Sequence, residues 1–127
     1  MTVTTTIGYV LAGVIAAAII FVGARFLAAP RVAAAGYGVP ADVDQPAIRA
    51  YLSVKGIRDI ASGLFVIILM IAGATHLVGW IILAATIIPI TDAAIVLRSG
   101  GAKSIAYGVH GATAAVMLVT TALLLVS

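Results

Sequence analysis

Three ionisable residues lie inside long apolar stretches of this 127-residue chain: Asp59, Asp92 and His110. A charge placed within a bilayer costs about 2.5–3.5 kcal/mol on insertion scales, so such groups persist where they are paired or where they work. A carboxyl shielded from water suits general acid or base chemistry, and imidazole titrates near neutrality. Asp92 is the foremost candidate. It follows Thr91 and lies three residues after Pro89, which removes one helical hydrogen bond and frees the carbonyl of Ala85. Six residues separate it from Arg98, which places it roughly 9 Å deeper than that arginine. His110 lies about 10 Å inward from Lys103 by the same rise. Asp59 sits directly after Arg58 and at least one turn into its helix. All three descend from the same end of the molecule on three different segments, at depths that allow them to converge.

Around them stand residues able to hold a ligand. Tyr107 shares a helical face with His110, in a stripe of Lys103, Tyr107, His110, Thr113 and Met117. Arg25, Arg58 and Thr91 reach the same layer. The catalytic candidates are therefore Asp92, His110 and Asp59, and the ligand-binding candidates Tyr107, Arg58, Arg25, Thr91 and Met117. Expected ion pairs are Asp59 with Lys55 or Arg25, and Asp92 with His110 or Arg98. No metal or cofactor is expected. The chain has no cysteine and no His-x-x-x-His spacing, and His76 falls at the opposite end from His110. No Gly-rich phosphate loop or nucleophile elbow occurs.

The elements that would position these groups follow from composition. The chain is 64% hydrophobic and 9% charged, against about 25% charged residues in soluble domains. The net charge of +3 is not a nucleic-acid signal, because Lys and Arg stand singly at the ends of apolar runs. A spanning helix needs about 20 mostly apolar residues. Residues 5–29, 57–75, 78–97 and 104–126 meet that length and lack the alternation of a barrel strand. The expected fold is all-α: one transmembrane domain over 1–127, a four-helix bundle with antiparallel up-down neighbours and a cytoplasmic loop over 30–56. Pro30, Gly36, Gly38, Pro40 and Pro46 punctuate the first part of that loop. Asp44 is the expected N-cap of a helix starting near Pro46.

Charge sets the orientation. Arg25, Arg31, Arg49, Lys55 and Arg58 flank the first connection, and Arg98 and Lys103 flank the third. The positive-inside rule places both connections in the cytoplasm and both termini on the non-cytoplasmic side, as a multi-pass protein, such as one of the bacterial inner membrane. Residues 1–24 carry no charge, so the first segment reads as a retained helix and not a cleaved signal. Small residues four apart, Gly13 with Ala17, Gly108 with Ala112 and Gly111 with Ala115, are expected at helix contacts.

The segments Lys55-Gly56-Ile57-Arg58-Asp59 with Gly63, then Asp92, then Tyr107-Gly108-Val109-His110-Gly111 resemble domain of unknown function 4267, a family of small four-helix membrane proteins. The resemblance implies four helices and brings no activity. The size also resembles the small multidrug-resistance exporters, but those carry a glutamate in the first helix and this chain has no glutamate. The preferred functional reading is a site that binds or converts a lipophilic small molecule by acid/base chemistry. The alternatives are an accessory membrane subunit and a proton-coupled carrier. The expected partners are the lipid bilayer, a lipophilic small molecule and a second copy of the chain as a homodimer; nucleic acid is not among them.

Overall fold

The computed structural model describes all 127 residues. The chain is all-α, with no strand. Helix α1 spans Val3–Ala28, α2 Pro30–Tyr37 and α3 Pro46–Ile71. Helix α4 runs over Thr75–Arg98 and α5 over Lys103–Leu125. Three of these, α1, α4 and α5, are long and apolar enough to cross a membrane. Helix α3 has the same length as α1, but every stretch of it long enough to span holds charge from Lys55, Arg58 and Asp59.

Only 26 of the 127 residues are buried, and the surface carries Phe21, Ile71, Trp80 and Ile87 among many exposed large apolar side chains. Such an exterior suits hydrocarbon and not water. Inside lipid each backbone group must be satisfied within its own segment, which is why the long elements are helices.

Local chemistry sets the ends. The Thr2 hydroxyl accepts from the Thr5 N–H at 3.1 Å and caps α1. The expected loop over 30–56 is partly helical. Pro30 stands in the first turn of α2, where its missing N–H costs nothing, and Gly38 closes that helix at φ 103°, which favours glycine. Helix α2 turns Ala33 and Ala34 inward against Phe26. Helix α3 starts at Pro46, well before residue 57. Gln45 is its N-cap and makes no side-chain capping bond. Asp44 does not cap it, because its carboxylate accepts instead from Arg31 at 3.2 Å.

The contact between α1 and α3 is the most extensive in the molecule. It runs antiparallel, with Gly23 against Gly56 and Ala16 against Gly63. A Cβ at Gly56 would stand 2.7 Å from the Gly23 carbonyl oxygen, and one at Gly63 equally close to that of Ala16. These glycines let two backbones meet, as small residues do between membrane helices. The expected small pairs serve less. Gly108 has open space beyond it and Ala17, Ala112 and Ala115 are exposed. We expect Gly63→Ala to lower stability by about 1–2 kcal/mol through overpacking, measured by unfolding in mixed detergent and SDS micelles. Gly108→Ala should leave it unchanged.

At the centre, Ala12, Ala16, Val66, Val78, Ile82, Met117 and Leu124 form the main core. Helix α4 is distorted at Thr86, whose backbone N–H is shared between the Ile82 and Leu83 carbonyls while its hydroxyl also donates to Ile82. Pro89 follows within a turn, so the cause is the missing proline N–H. Helix α5 widens into a π-helical segment over Ala106–Gly111.

Candidate functional site

The two halves of α4 meet different neighbours. Thr75–Ala85 packs on the second half of α5, whereas Ile87–Arg98 packs mainly on the π-helical segment and scarcely touches α3. A cleft of about 340 Å³ results, with Ile88 and Asp92 of α4 on one wall. Tyr51, Val54, Lys55, Arg58 and Asp59 of α3 form the other, and Tyr37 of α2 completes the lining. A second depression, of about 500 Å³, lies between the end of α2 and the α4–α5 loop, but no ionisable side chain lines it. The chemistry therefore belongs to the first.

Lys55 is held on three sides. Its Nζ donates to Asp59 Oδ2 at 2.7 Å, one turn along α3. The same ammonium lies 4.4 Å from the Phe26 ring centre and 4.6 Å from that of Tyr37. Rings attract a cation through their electron-rich faces. Phe26 and Tyr37 meet edge to face at 5.9 Å. Asp59 is thus spent on Lys55, and Arg25 does not take part; its guanidinium lies 5.9 Å from the Phe21 ring centre.

Tyr37 links the remaining groups. It shares the cleft lining with Asp92. Burial first, then the nearby carboxylates of Asp92 and Asp59, push the phenol far above its usual range, so it stays protonated. On its other side the Tyr37 ring packs on the His110 ring at 4.5 Å. The His110 Nε2 donates to the Tyr37 carbonyl at 2.7 Å. A carbonyl only accepts, so Nε2 must carry the hydrogen. This carbonyl ends α2, where the helix dipole favours such a donor.

The residues singled out in the sequence therefore divide. Asp59, Asp92 and Arg58 share the cleft. His110 is buried behind it and reaches it only through Tyr37. The expected pairing of Asp92 with His110 or Arg98 does not form, since the two ion pairs present are Lys55–Asp59 and Arg31–Asp44. The stripe drawn along α5 fails because the π-helical segment breaks the 3.6-residue repeat. Tyr107 consequently faces outward and is 62% exposed, while Met117 is buried in the main core. Thr91 is exposed and lies outside the cleft lining. The residues that sequence reasoning missed are Tyr37 and Phe26. Their aromatic type beside a basic helix end was the one available signal.

Asp92, with a protonated phenol in the same lining and no ion-pair partner, can act as a base or as an anchor for a positive group. No group of three or more His, Cys, Asp or Glu gathers as a metal site would require. No curated protein and no solved structure matches the chain. A family model described as a domain of unknown function, DUF4267, matches residues 16–124. The match runs from the middle of α1 nearly to the end of α5 and takes in every residue lining the cleft, so the chain belongs to the DUF4267 family.

Proposed function

We propose that this chain is a multi-pass membrane protein that binds or converts a lipophilic small molecule by acid/base chemistry at the Asp92–Tyr37 cleft. In this reading α1, α3, α4 and α5 all cross the bilayer as a single domain, with both termini on the non-cytoplasmic side. The gathering of all seven Lys and Arg at one end supports the orientation. Helix α3 lies along α1 for most of its length, and a helix packed in this way on a spanning neighbour shares its depth. A bacterial inner membrane accommodates this arrangement.

The observation that carries the functional reading is the Asp92 carboxylate. It lines a cleft between two helices with the neutral Tyr37 phenol in the same lining, and it belongs to neither ion pair. A carboxylate within a membrane protein defaults to function when nothing neutralises it. Asp92 takes or returns a proton, Tyr37 donates a hydrogen bond, and His110 positions Tyr37. Val54 and Ile88 supply the apolar contact.

The Asp92→Asn protein tests this. Purified in detergent, it should keep its helical circular dichroism and lose at least about tenfold of any lipophilic molecule that co-purifies with the natural chain, read by mass spectrometry, which corresponds to about 1.4 kcal/mol. Equal retention by both proteins would rule the site out. A second reading, as an accessory subunit or homodimer, draws on the outward face of α5, where Gly108 has open space beyond it and Ala112 is exposed. Under that reading Asp92→Asn changes the bound lipophile not at all.

A further inference from the structure

The cleft contains two ionic groups of opposite sign with no partner of their own. Asp92 belongs to neither ion pair of the molecule, and nor does Arg58. Both line the same cavity, on its facing walls. The other two ions there, Lys55 and Asp59, satisfy each other at 2.7 Å. A ligand that matches what remains must carry a positive and a negative group together. A purely anionic head would meet Asp92 as a like charge, and a purely cationic one would meet Arg58 in the same way.

The shape of the cleft adds a further condition. About 340 Å³ stands at the small end of ligand pockets, which run roughly 300–1,000 Å³. It holds a head group and leaves long chains outside. The chains have a path, because α3 and the second half of α4 scarcely touch, and the helices diverge from the tight turn at Gly73. Val54 and Ile88 line the cleft on either side and remain 43% and 48% exposed, so apolar surface continues from the cleft to the outer face. Tyr51, 74% exposed, also lines the cleft, and tyrosine is a residue that favours contact with lipid head groups.

Building on the reading of the cleft as a lipophile site, we propose that its ligand is a zwitterionic aminophospholipid drawn from the surrounding leaflet. The ammonium pairs with Asp92, the phosphate pairs with Arg58, and the acyl chains leave between α3 and α4. The neutral Tyr37 phenol, in the same lining, adds no competing charge.

Native mass spectrometry of the full chain in detergent, with lipids added singly, tests this. The probes are dioleoyl phosphatidylethanolamine, dioleoyl phosphatidylglycerol, dodecylamine and water-soluble phosphoethanolamine. The expected result is at least a fivefold preference for phosphatidylethanolamine over phosphatidylglycerol. Asp92→Asn should abolish that preference. Arg58→Gln, at an exposed position that threatens no packing, should weaken both phospholipids and strengthen dodecylamine, which no longer meets a like charge. Equal binding of the two phospholipids by the natural chain would overturn the zwitterion assignment. Displacement of phosphatidylethanolamine by an equal concentration of phosphoethanolamine would overturn the membrane as its source. If a neutral lipophile co-purifies and is lost with Asp92→Asn while no phospholipid is preferred, the zwitterion fails and the acid/base site stands. If Asp92→Asn changes no bound molecule at all, both fail.

Discussion

Replacing Lys55 with methionine should destabilise the protein by about 3 kcal/mol, the largest effect expected of any single change at the site. The Asp59 side chain is only 15% exposed, and its one cation sits 2.7 Å away. Removing that cation leaves a carboxylate in a poor environment for charge. Breaking a fully buried pair costs about 3–5 kcal/mol, and the 30% exposure of Lys55 lowers the figure to about 2 kcal/mol. Loss of the contacts with the Phe26 and Tyr37 rings adds about 1 kcal/mol. The companion variants make the origin visible. Lys55→Met combined with Asp59→Ala should recover most of the loss, because no charge is then stranded. Asp59→Ala alone should cost less than Lys55→Met, since the ammonium keeps its two rings and reaches water. Unfolding in mixed micelles measures all three. A Lys55→Met protein within about 0.5 kcal/mol of the natural chain would mean that the pair is screened like a surface one.

Alkaline pH should expose Tyr37. Its folded-state pKa is raised well above the ordinary phenol value of about 10, first by burial and then by Asp92 and Asp59. A raised pKa means that the folded protein holds the proton more tightly than the unfolded chain. The stabilisation is therefore complete below pH 10 and is lost progressively above it, as the unfolded phenol ionises and the folded one does not. The full linkage slope is about 1.4 kcal/mol per pH unit, and the partial exposure of Tyr37 brings it to about 1 kcal/mol per unit. Between pH 10 and 12 the natural chain should lose about 2 kcal/mol through this residue. Tyr37→Phe has no phenol to ionise and should show a flatter alkaline limb. Parallel limbs for the two proteins would mean that Tyr37 is freely solvated.

The two results bear on the same unit. Lys55, His110 and Asp92 come from α3, α5 and α4, and all three gather around Tyr37 of α2: Lys55 against its ring, His110 against its ring and carbonyl, and Asp92 beside it in the cleft lining. Four helices therefore share one polar layer at the basic end. Such a network holds the cleft open with Asp92 facing into it, because moving any member would leave a polar group without its partner.

The local order of residues was enough for the all-α class, for the membrane character and for membership of the family. Transfer into hydrocarbon is read residue by residue, so a run such as Ile7–Val22 declares its solvent without knowledge of its neighbours. The acids set in apolar sequence were legible for the same reason: Asp59 and Asp92 are conspicuous among apolar neighbours, and both line the cleft. What they touch was not legible. The Tyr37 carbonyl and the His110 ring are 73 residues apart in the chain, and no local pattern announces that meeting. The π-helical segment over Ala106–Gly111 shifts every later side chain of α5, which separated Tyr107 and Met117 from the site they were expected to join. Helix α2, hidden in what reads as a Pro- and Gly-rich loop, carries Tyr37 into the space where Asp92 and His110 were expected to pair. Helical period and hydropathy are properties of one segment, whereas the partner of a buried ion depends on how four segments pack, and that arrangement exists only in the folded chain.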